Sequence, residues 1–417
     1  MKTVVIGAGV VGTMTAYYLQ RRGHEVTVVE REFDVAQGAC FANGGIVHAS
    51  EVMPWSQPGM PSRVLRWLGH EDAPVLLRAR ALPHLLGWGA SFLRNCSAAR
   101  FRENTLANLR LALLSQTSFR EVRREVGHDY DLNSAGYLKI YSDRPALDAA
   151  VALSESMRAD GMNFEVLGAA ECAALEPALA PAAEVLAGGI YFPDDELGDS
   201  YKFTVGVAEY VKGRGATFHT GTAVEGFDVS GDAVLGLRTS RGRLVADRYV
   251  VATGVHTPRL LRPIGLAIPI YPVKGVSVTV PADAWDEPPR MAIIDEARLY
   301  AMAPLGERLR VVGSAEVTRF DTAPDARRCQ AIVDNATEVF PDFARCYDPD
   351  RALHWAGLRP VTPSGTPLLG ATRIRNLFLN TGHCHQGFTL SCGSGRVVAD
   401  IVDRRAPEID MRGLTLG

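Results

Sequence analysis

The chain has 417 residues, 47% of them hydrophobic and 22% charged, which is enough apolar material for two cores and too much for a disordered polypeptide. Its 44 Lys and Arg against 47 Asp and Glu leave a formal charge of −3, so the basic field that a phosphate backbone requires is missing and a nucleic-acid partner is not expected. Seven scattered cysteines, at 40, 96, 172, 329, 346, 384 and 392, include no Cys-x-x-Cys pair, and the sequence therefore predicts a reduced, cytoplasmic protein without a metal centre.

In chain order, Thr3 to Ile6 is a β-branched run that predicts a strand, Val10 to Arg22 has apolar residues at helical spacing with Gly23 as a stop, and Val26 to Val29 predicts a second strand. The single Lys before this apolar start imitates a signal peptide, but the regularly spaced glycines and the polar QRRGHE that follows favour a βαβ unit. The connection is Gly7-Ala8-Gly9-Val10-Val11-Gly12. Gly7 permits the bend, Gly9 lets the backbone approach a pyrophosphate, and Gly12 lets helix and strand pack closely. The following helix points its positive end at the phosphates, and Glu30 closes the second strand where a ribose diol needs an acceptor. Dinucleotide binding follows, with FAD or NAD favoured over NADP.

Residues 46 to about 130 change character, with Pro54, Pro58, Pro61, Trp55, Trp67 and Trp88 predicting irregular or short helical segments. From 150 to 254 an α/β pattern returns: Asp199 caps a helix through Tyr210, and two alternating segments rejoin the first sheet, the second ending in Ala252-Thr253-Gly254. Residues 270 to 320 carry four strand-like runs and predict an antiparallel sheet forming the wall of a substrate site. The tail predicts a strand, a turn bracketed by Gly382 and Gly387, and a helix whose dipole can face an electron-rich ring. No stretch reaches the roughly 18 apolar residues of a membrane span. Any membrane contact is expected to be peripheral, through exposed apolar residues of 53–93 or through a partner protein.

The stretches VVIGAGVVGTMTAYYL with Glu30, FANGGI at 41–46, PWSQPGMP at 54–61, FLRNCSAARFREN at 92–104, PDDELGDSYKFT at 193–204, YPVKGVSVTVP, GLRPVTPSGTPLLG at 357–370 and LNTGHCHQGFTLSCGSG cover essentially the whole chain. In them the chain resembles the FAD-dependent D-amino-acid oxidase superfamily, most closely the small-subunit type of bacterial D-amino-acid dehydrogenase. The resemblance implies an α/β, overall α+β, architecture: a Rossmann-like FAD-binding domain made of 1–45, 150–255 and 345–417, and a mainly antiparallel β substrate domain made of 46–149 and 256–344. It implies noncovalent FAD and oxidative deamination of a D-amino acid to a 2-oxo acid and ammonia, by hydride transfer from Cα to flavin N5. The electrons would pass to a quinone or other respiratory acceptor on the inner face of the cytoplasmic membrane. Related expectations are a D-hydroxyproline or other secondary amino-acid dehydrogenase, an oxygen-using amine oxidase, and a flavin subunit of a larger electron-transfer complex.

Carried residue by residue, the resemblance places the cofactor against Gly7, Gly9, Val10, Val11, Gly12, Glu30, Arg31, Ala42, Asn43, Gly44, Gly45, Val224, Ala252, Thr253, Gly254, Gly382, Gly387, Phe388 and Thr389. A substrate carboxylate is best held by the planar two-donor fork of an arginine, which points to Arg359. Tyr271 and Tyr300 are candidate second donors, Lys274 a candidate cation over the flavin, and His383 and His48 candidate groups near the reacting centre. Two departures from the family pattern, Ala39-Cys40 before FAN and Gly382-His383-Cys384-His385 in place of GHG, fall beside the flavin.

Overall fold

The computed structural model describes residues 1–67, 75–78 and 81–416. Part of the 53–93 stretch singled out for membrane contact, residues 68–74 and 79–80, lies outside them.

The opening unit forms as its spacing predicts. Strand Lys2–Ile6 runs parallel to Glu25–Val29, and helix Val10–Arg21 crosses between them. Around this pair a six-stranded sheet assembles in the order 368–371, 377–381, 248–251, 2–6, 25–29, 217–219, parallel except for its first strand. Three distant parts of the chain are thus brought to one sheet, the discontinuity that a Rossmann-like domain with an inserted partner requires. Helix Gly387–Val402 packs between helix 10–21 and a long helix, Ala98–Val126. It approaches both at the backbone: a Cβ on Gly395 would stand 2.9 Å from the Met14 backbone, and one on Gly393 2.9 Å from the Leu111 carbonyl.

The second layer is a nine-stranded, mainly antiparallel sheet. Its main path runs 353–361, 271–281, 308–317, 300–305, 292–295, 137–141, 188–192, 165–167, with the short strand 75–77 paired to 308–317. Helix Ala326–Val339 covers one face over a core of Val278, Ile293, Met302 and Val311; the other face looks toward the first sheet. A three-stranded sheet of 224–230, 233–239 and 242–244 packs under the first sheet, and a two-stranded pair joins 46–47 to 196–197.

Three expectations change here. Residues 98–126 form a helix of 29 residues, capped by the Ser97 hydroxyl and ended by Gly127 at φ +65°, where short or irregular segments were expected. The run 224–230 leaves the first sheet for its own antiparallel one, because it pairs with 233–239 across a tight turn. Strands 165–167, 188–192 and 353–361 pair into the large sheet, whereas the expected boundaries assigned them to the cofactor domain. Among the described residues no helix is long and apolar enough to cross a membrane.

Candidate active site

Between the two large sheets lies a cavity of about 2330 Å³. Its dinucleotide end is built by the first turn. Gly7 has φ +104°, donates its N–H to the Val29 carbonyl at 2.8 Å, and lies so close to Ala252 that a Cβ would meet the Ala252 carbonyl oxygen at 2.6 Å. A Cβ on Gly12 would overlap the Gly7 carbonyl. Gly9 differs: only Cys40 Sγ, at 3.7 Å, is near an added Cβ, so its outer side is open to the cavity. Helix 10–21 starts there without a side-chain cap, which leaves backbone N–H groups and the positive end of the dipole directed at whatever binds. Glu30 accepts from the N–H of Ala8 at 2.7 Å and of Glu32 at 3.0 Å, which fixes its carboxylate at the cavity edge.

Most of the other expected cofactor residues line the same space: Val10, Val11, Arg31, Ala42, Asn43, Gly44, Gly45, Val224, Ala252, Thr253, Gly254, Gly382, Gly387 and Phe388. Two do not. Gly12 is packed beneath the turn, and Thr389 turns its hydroxyl to the Ile46 carbonyl and accepts the His48 N–H. The Asn43 side chain accepts from Gly45 N and Ser200 Oγ, which shapes the 43–45 bend, and Ser277 donates to the Ala42 carbonyl at 2.8 Å. Helix 387–402 also begins uncapped at the cavity wall. Cys40 accepts the Val10 N–H at 3.2 Å, and burial pushes its thiol up to about 11; burial raises Cys384 as well. Both are therefore neutral thiols and poor nucleophiles at neutral pH.

Strand parity decides which side chains reach the substrate end. In 271–281 the residues Val273, Gly275 and Ser277 face the cavity opposite Arg359, Gly357 and Trp355 of the neighbouring strand. The Arg359 guanidinium lies across Gly275, and the Trp355 ring lies across Gly357; a Cβ at either glycine would collide with the side chain above it. Arg359 donates to the Ser314 carbonyl at 3.1 Å and stands 5.7 Å from the Trp55 ring centroid. Among the described residues no carboxylate pairs with it, and burial lowers it to about 10, so it remains a cation at neutral pH. Trp55 stacks on His385 with centroids 5.3 Å apart. Trp88 donates to the Val361 carbonyl at 3.1 Å and also borders the cavity.

The same parity removes Lys274. It faces away from the cavity, where Glu316 and Asp321 each lie 3.0 Å from its ammonium. Neutralised twice, it cannot serve as a cation over a flavin. Tyr271 does not line the cavity either, since Trp88 lies between, with ring centroids 5.9 Å apart. Tyr300 only borders the cavity, because its ring belongs to the core under helix 326–339. His383 and His48 do line it. Burial lowers both imidazoles to about 3, and His385 to about 4, so all three are neutral at ordinary pH. Sequence reasoning passed over Glu51, Lys139 and Glu296, which also face the cavity. No local signal marks them, because the fold brings them from three separate segments.

The family model for FAD dependent oxidoreductases matches residues 2–401. The chain belongs to that family. FAD is its cofactor, and the glycine turn, the open side of Gly9, the fixed Glu30 and the two uncapped helix starts form a cradle that suits it. The chain is 47% identical over 415 residues to the D-amino acid dehydrogenase of Paramagnetospirillum magneticum, covering 99% of this chain and 98% of that protein. It is 42% identical over 416 residues to that of Allorhizobium ampelinum, covering 100% and 98%. Among solved structures, glycine oxidase from Geobacillus kaustophilus superposes with a TM-score of 0.79 at 24% identity, covering 100% of this chain and 98% of that one. L-proline dehydrogenase from P. horikoshii superposes with a TM-score of 0.75 at 20% identity, covering 100% and 99%.

Proposed function

We propose that this protein oxidises D-amino acids to 2-oxo acids and ammonia and passes the electrons to a respiratory acceptor, a quinone or a similar carrier. The observation that carries this reading is Arg359: a half-buried guanidinium facing the cavity, held flat over Gly275 by one carbonyl and, among the described residues, without a carboxylate partner. A cavity-facing cation in that state is a site for an anion that arrives from outside, and the planar fork suits an α-carboxylate. The two relatives named D-amino acid dehydrogenase, alike over nearly their full length, support the substrate class and its handedness.

Bound FAD supplies the acceptor for the hydride that leaves Cα. The protein's own part is positioning and exclusion of water. Arg359 holds the carboxylate, and Trp55, stacked on His385, shields the guanidinium. His383 and His48 stay uncharged beside the reacting region and so do not repel a substrate ammonium. Hydride loss requires the uncharged amine, so the substrate ammonium releases a proton to solvent before the transfer, and water then hydrolyses the iminium to the 2-oxo acid and ammonium.

Contact with a membrane-bound acceptor is part of the proposal. Leu65, Leu82, Leu86 and Leu93 are exposed on helices 60–67 and 82–95, with Arg63, Arg66 and Arg94 among them, a composition suited to an anionic bilayer surface. Both helices also border the cavity.

The test is anaerobic bleaching of the purified holoenzyme's flavin band at about 450 nm. D-amino acids, their L-enantiomers, prolines and sarcosine would each be added before the cuvettes are opened to air. Bleaching by D-amino acids with slow reoxidation in air is the expected outcome. No bleaching by any D-amino acid refutes the substrate class, and fast reoxidation refutes the respiratory acceptor.

A further inference from the structure

One group of cavity side chains has no task in that reaction. Lys139 on strand 137–141, Glu51 in the loop after 46–47, and Glu296 just after strand 292–295 meet on the cavity wall. The Lys139 ammonium lies 2.5 Å from Glu51 Oε1 and 2.6 Å from Glu296 Oε1. Lys139 is only 6% exposed, and among the described residues it is the one cation paired with either carboxylate. Glu51 Oε1 is buried without a well-aligned hydrogen bond. Two carboxylates, 19% and 31% exposed toward the cavity, thus share one buried ammonium, an arrangement that a further cationic partner would complete.

The cluster's position says what that partner is attached to. His385 is influenced by the Arg359 charge and lies near the Glu51 backbone, whose carbonyl accepts from Gln386 Nε2 at 2.6 Å. His48 is influenced by both His385 and Lys139. Across the wall, then, come the cation Arg359, two neutral imidazoles, and a cluster of two carboxylates around one ammonium, in which burial raises Glu51 and a second cation would hold it ionised. A ligand whose carboxylate sits on Arg359 and whose far end is cationic matches both ends of this series. A neutral far end leaves the surplus carboxylate uncompensated, and an acidic one adds to it.

We propose, resting on the D-amino-acid reading above, that Glu51 and Glu296, held apart by Lys139, form a distal subsite that selects D-amino acids bearing an ammonium or guanidinium side chain over neutral ones of similar length. Lys139 is a positioning residue in this arrangement, since it keeps the two carboxylates at a fixed spacing and offsets only one of them.

The test compares kcat/KM of the holoenzyme for D-lysine and D-arginine with that for D-norleucine and D-glutamine. Wild type is expected to favour the cationic substrates by about tenfold or more, and Glu51→Gln and Glu296→Gln each to lower that ratio by about tenfold, the scale of one hydrogen bond to a charged group at a part-exposed site. A loss of the same factor for cationic and neutral substrates makes the cluster a structural ion group and overturns the proposal. So does a wild-type preference for neutral side chains. A measurement free of folding effects is competition on the wild-type enzyme, where ω-aminohexanoate is expected to inhibit more tightly than hexanoate; equal inhibition again overturns the subsite. Turnover of D-amino acids without such preference refutes the subsite alone, whereas no flavin reduction by any D-amino acid refutes the reading on which it rests.

Discussion

Gly275→Ala isolates the placement of Arg359 from its charge. Gly275 has no positive φ, so the backbone accepts alanine without strain. The new Cβ would lie 2.2 Å from Arg359 Nη1, while ordinary contact begins at 3.4 Å, so the guanidinium must retreat by the difference, about 1.2 Å. It is the far end of a flexible side chain and can do so at little cost to the fold. A displacement of roughly 1 Å in a group that aligns a reactant costs on the order of 10²-fold in rate, about 2.7 kcal/mol. We therefore expect Gly275→Ala to keep its flavin absorbance and to melt within about 2 °C of wild type, while kcat/KM for its best D-amino acid falls roughly a hundredfold. Stopped-flow flavin reduction under anaerobic conditions reads the chemical step directly, and a flavin spectral titration with a non-oxidised carboxylate reads binding. If Gly275→Ala reduces its flavin at the wild-type rate and binds the carboxylate unchanged, Arg359 is not the substrate anchor.

Two glycines of the first turn should fail differently. Gly12→Ala drives a methyl into the Gly7 carbonyl, a backbone group that cannot move aside, so both flavin content and melting temperature should drop. Gly9→Val meets no backbone, and the apoprotein should fold while FAD retention is lost, as the ratio of flavin to protein absorbance will report. The buried imidazoles predict acid lability. His48 and His383 are lowered to about 3, and His385 and His256 to about 4, against 6.5 for the free group, so stability should fall as pH drops from 6.5 toward 4 in thermal melts. Asp195 acts with the opposite sign: burial raises it from 3.8 to about 7, so the folded state holds a proton that the unfolded chain releases, and stability falls as pH rises through that window. Asp195→Asn should remove that decline and melt higher than wild type at pH 8; unchanged pH dependence would show that Asp195 is ionised in the fold.

The first βαβ unit was legible because strand, glycines, helix and Glu30 are local in sequence and each answers to a steric demand. Arg359 was legible because the GLRP motif marks it. Lys274 misled for a simple reason: in an eleven-residue strand the face of each residue follows from parity, and a shift of one position exchanges cavity for far side. The strand reads as almost wholly apolar, so its composition gives no phase. Lys139, Glu51 and Glu296 were invisible, since each is an unremarkable charge until three segments converge. The long helix 98–126 was obscured by the Trp- and Pro-rich run before it, and strands 165–167 and 188–192 by the helical pattern between them and the first sheet.

The six-stranded sheet also dictates an order of events during synthesis. Strand 2–6 pairs on one side with 248–251, which in turn pairs with 377–381, and Arg22 and His24 reach Asp400 and Asp403 at 2.7 and 2.8 Å. A chain leaving the ribosome from its N-terminus exposes the glycine turn well before strand 377–381 and helix 387–402, which complete the sheet and the wall of the cavity, have been made. The cofactor cradle is therefore incomplete until helix 387–402 has been made. Until strands 217–219 and 248–251 are made, the edges of strands 25–29 and 2–6 stand open in the nascent chain, and truncations before them should aggregate rather than bind flavin weakly.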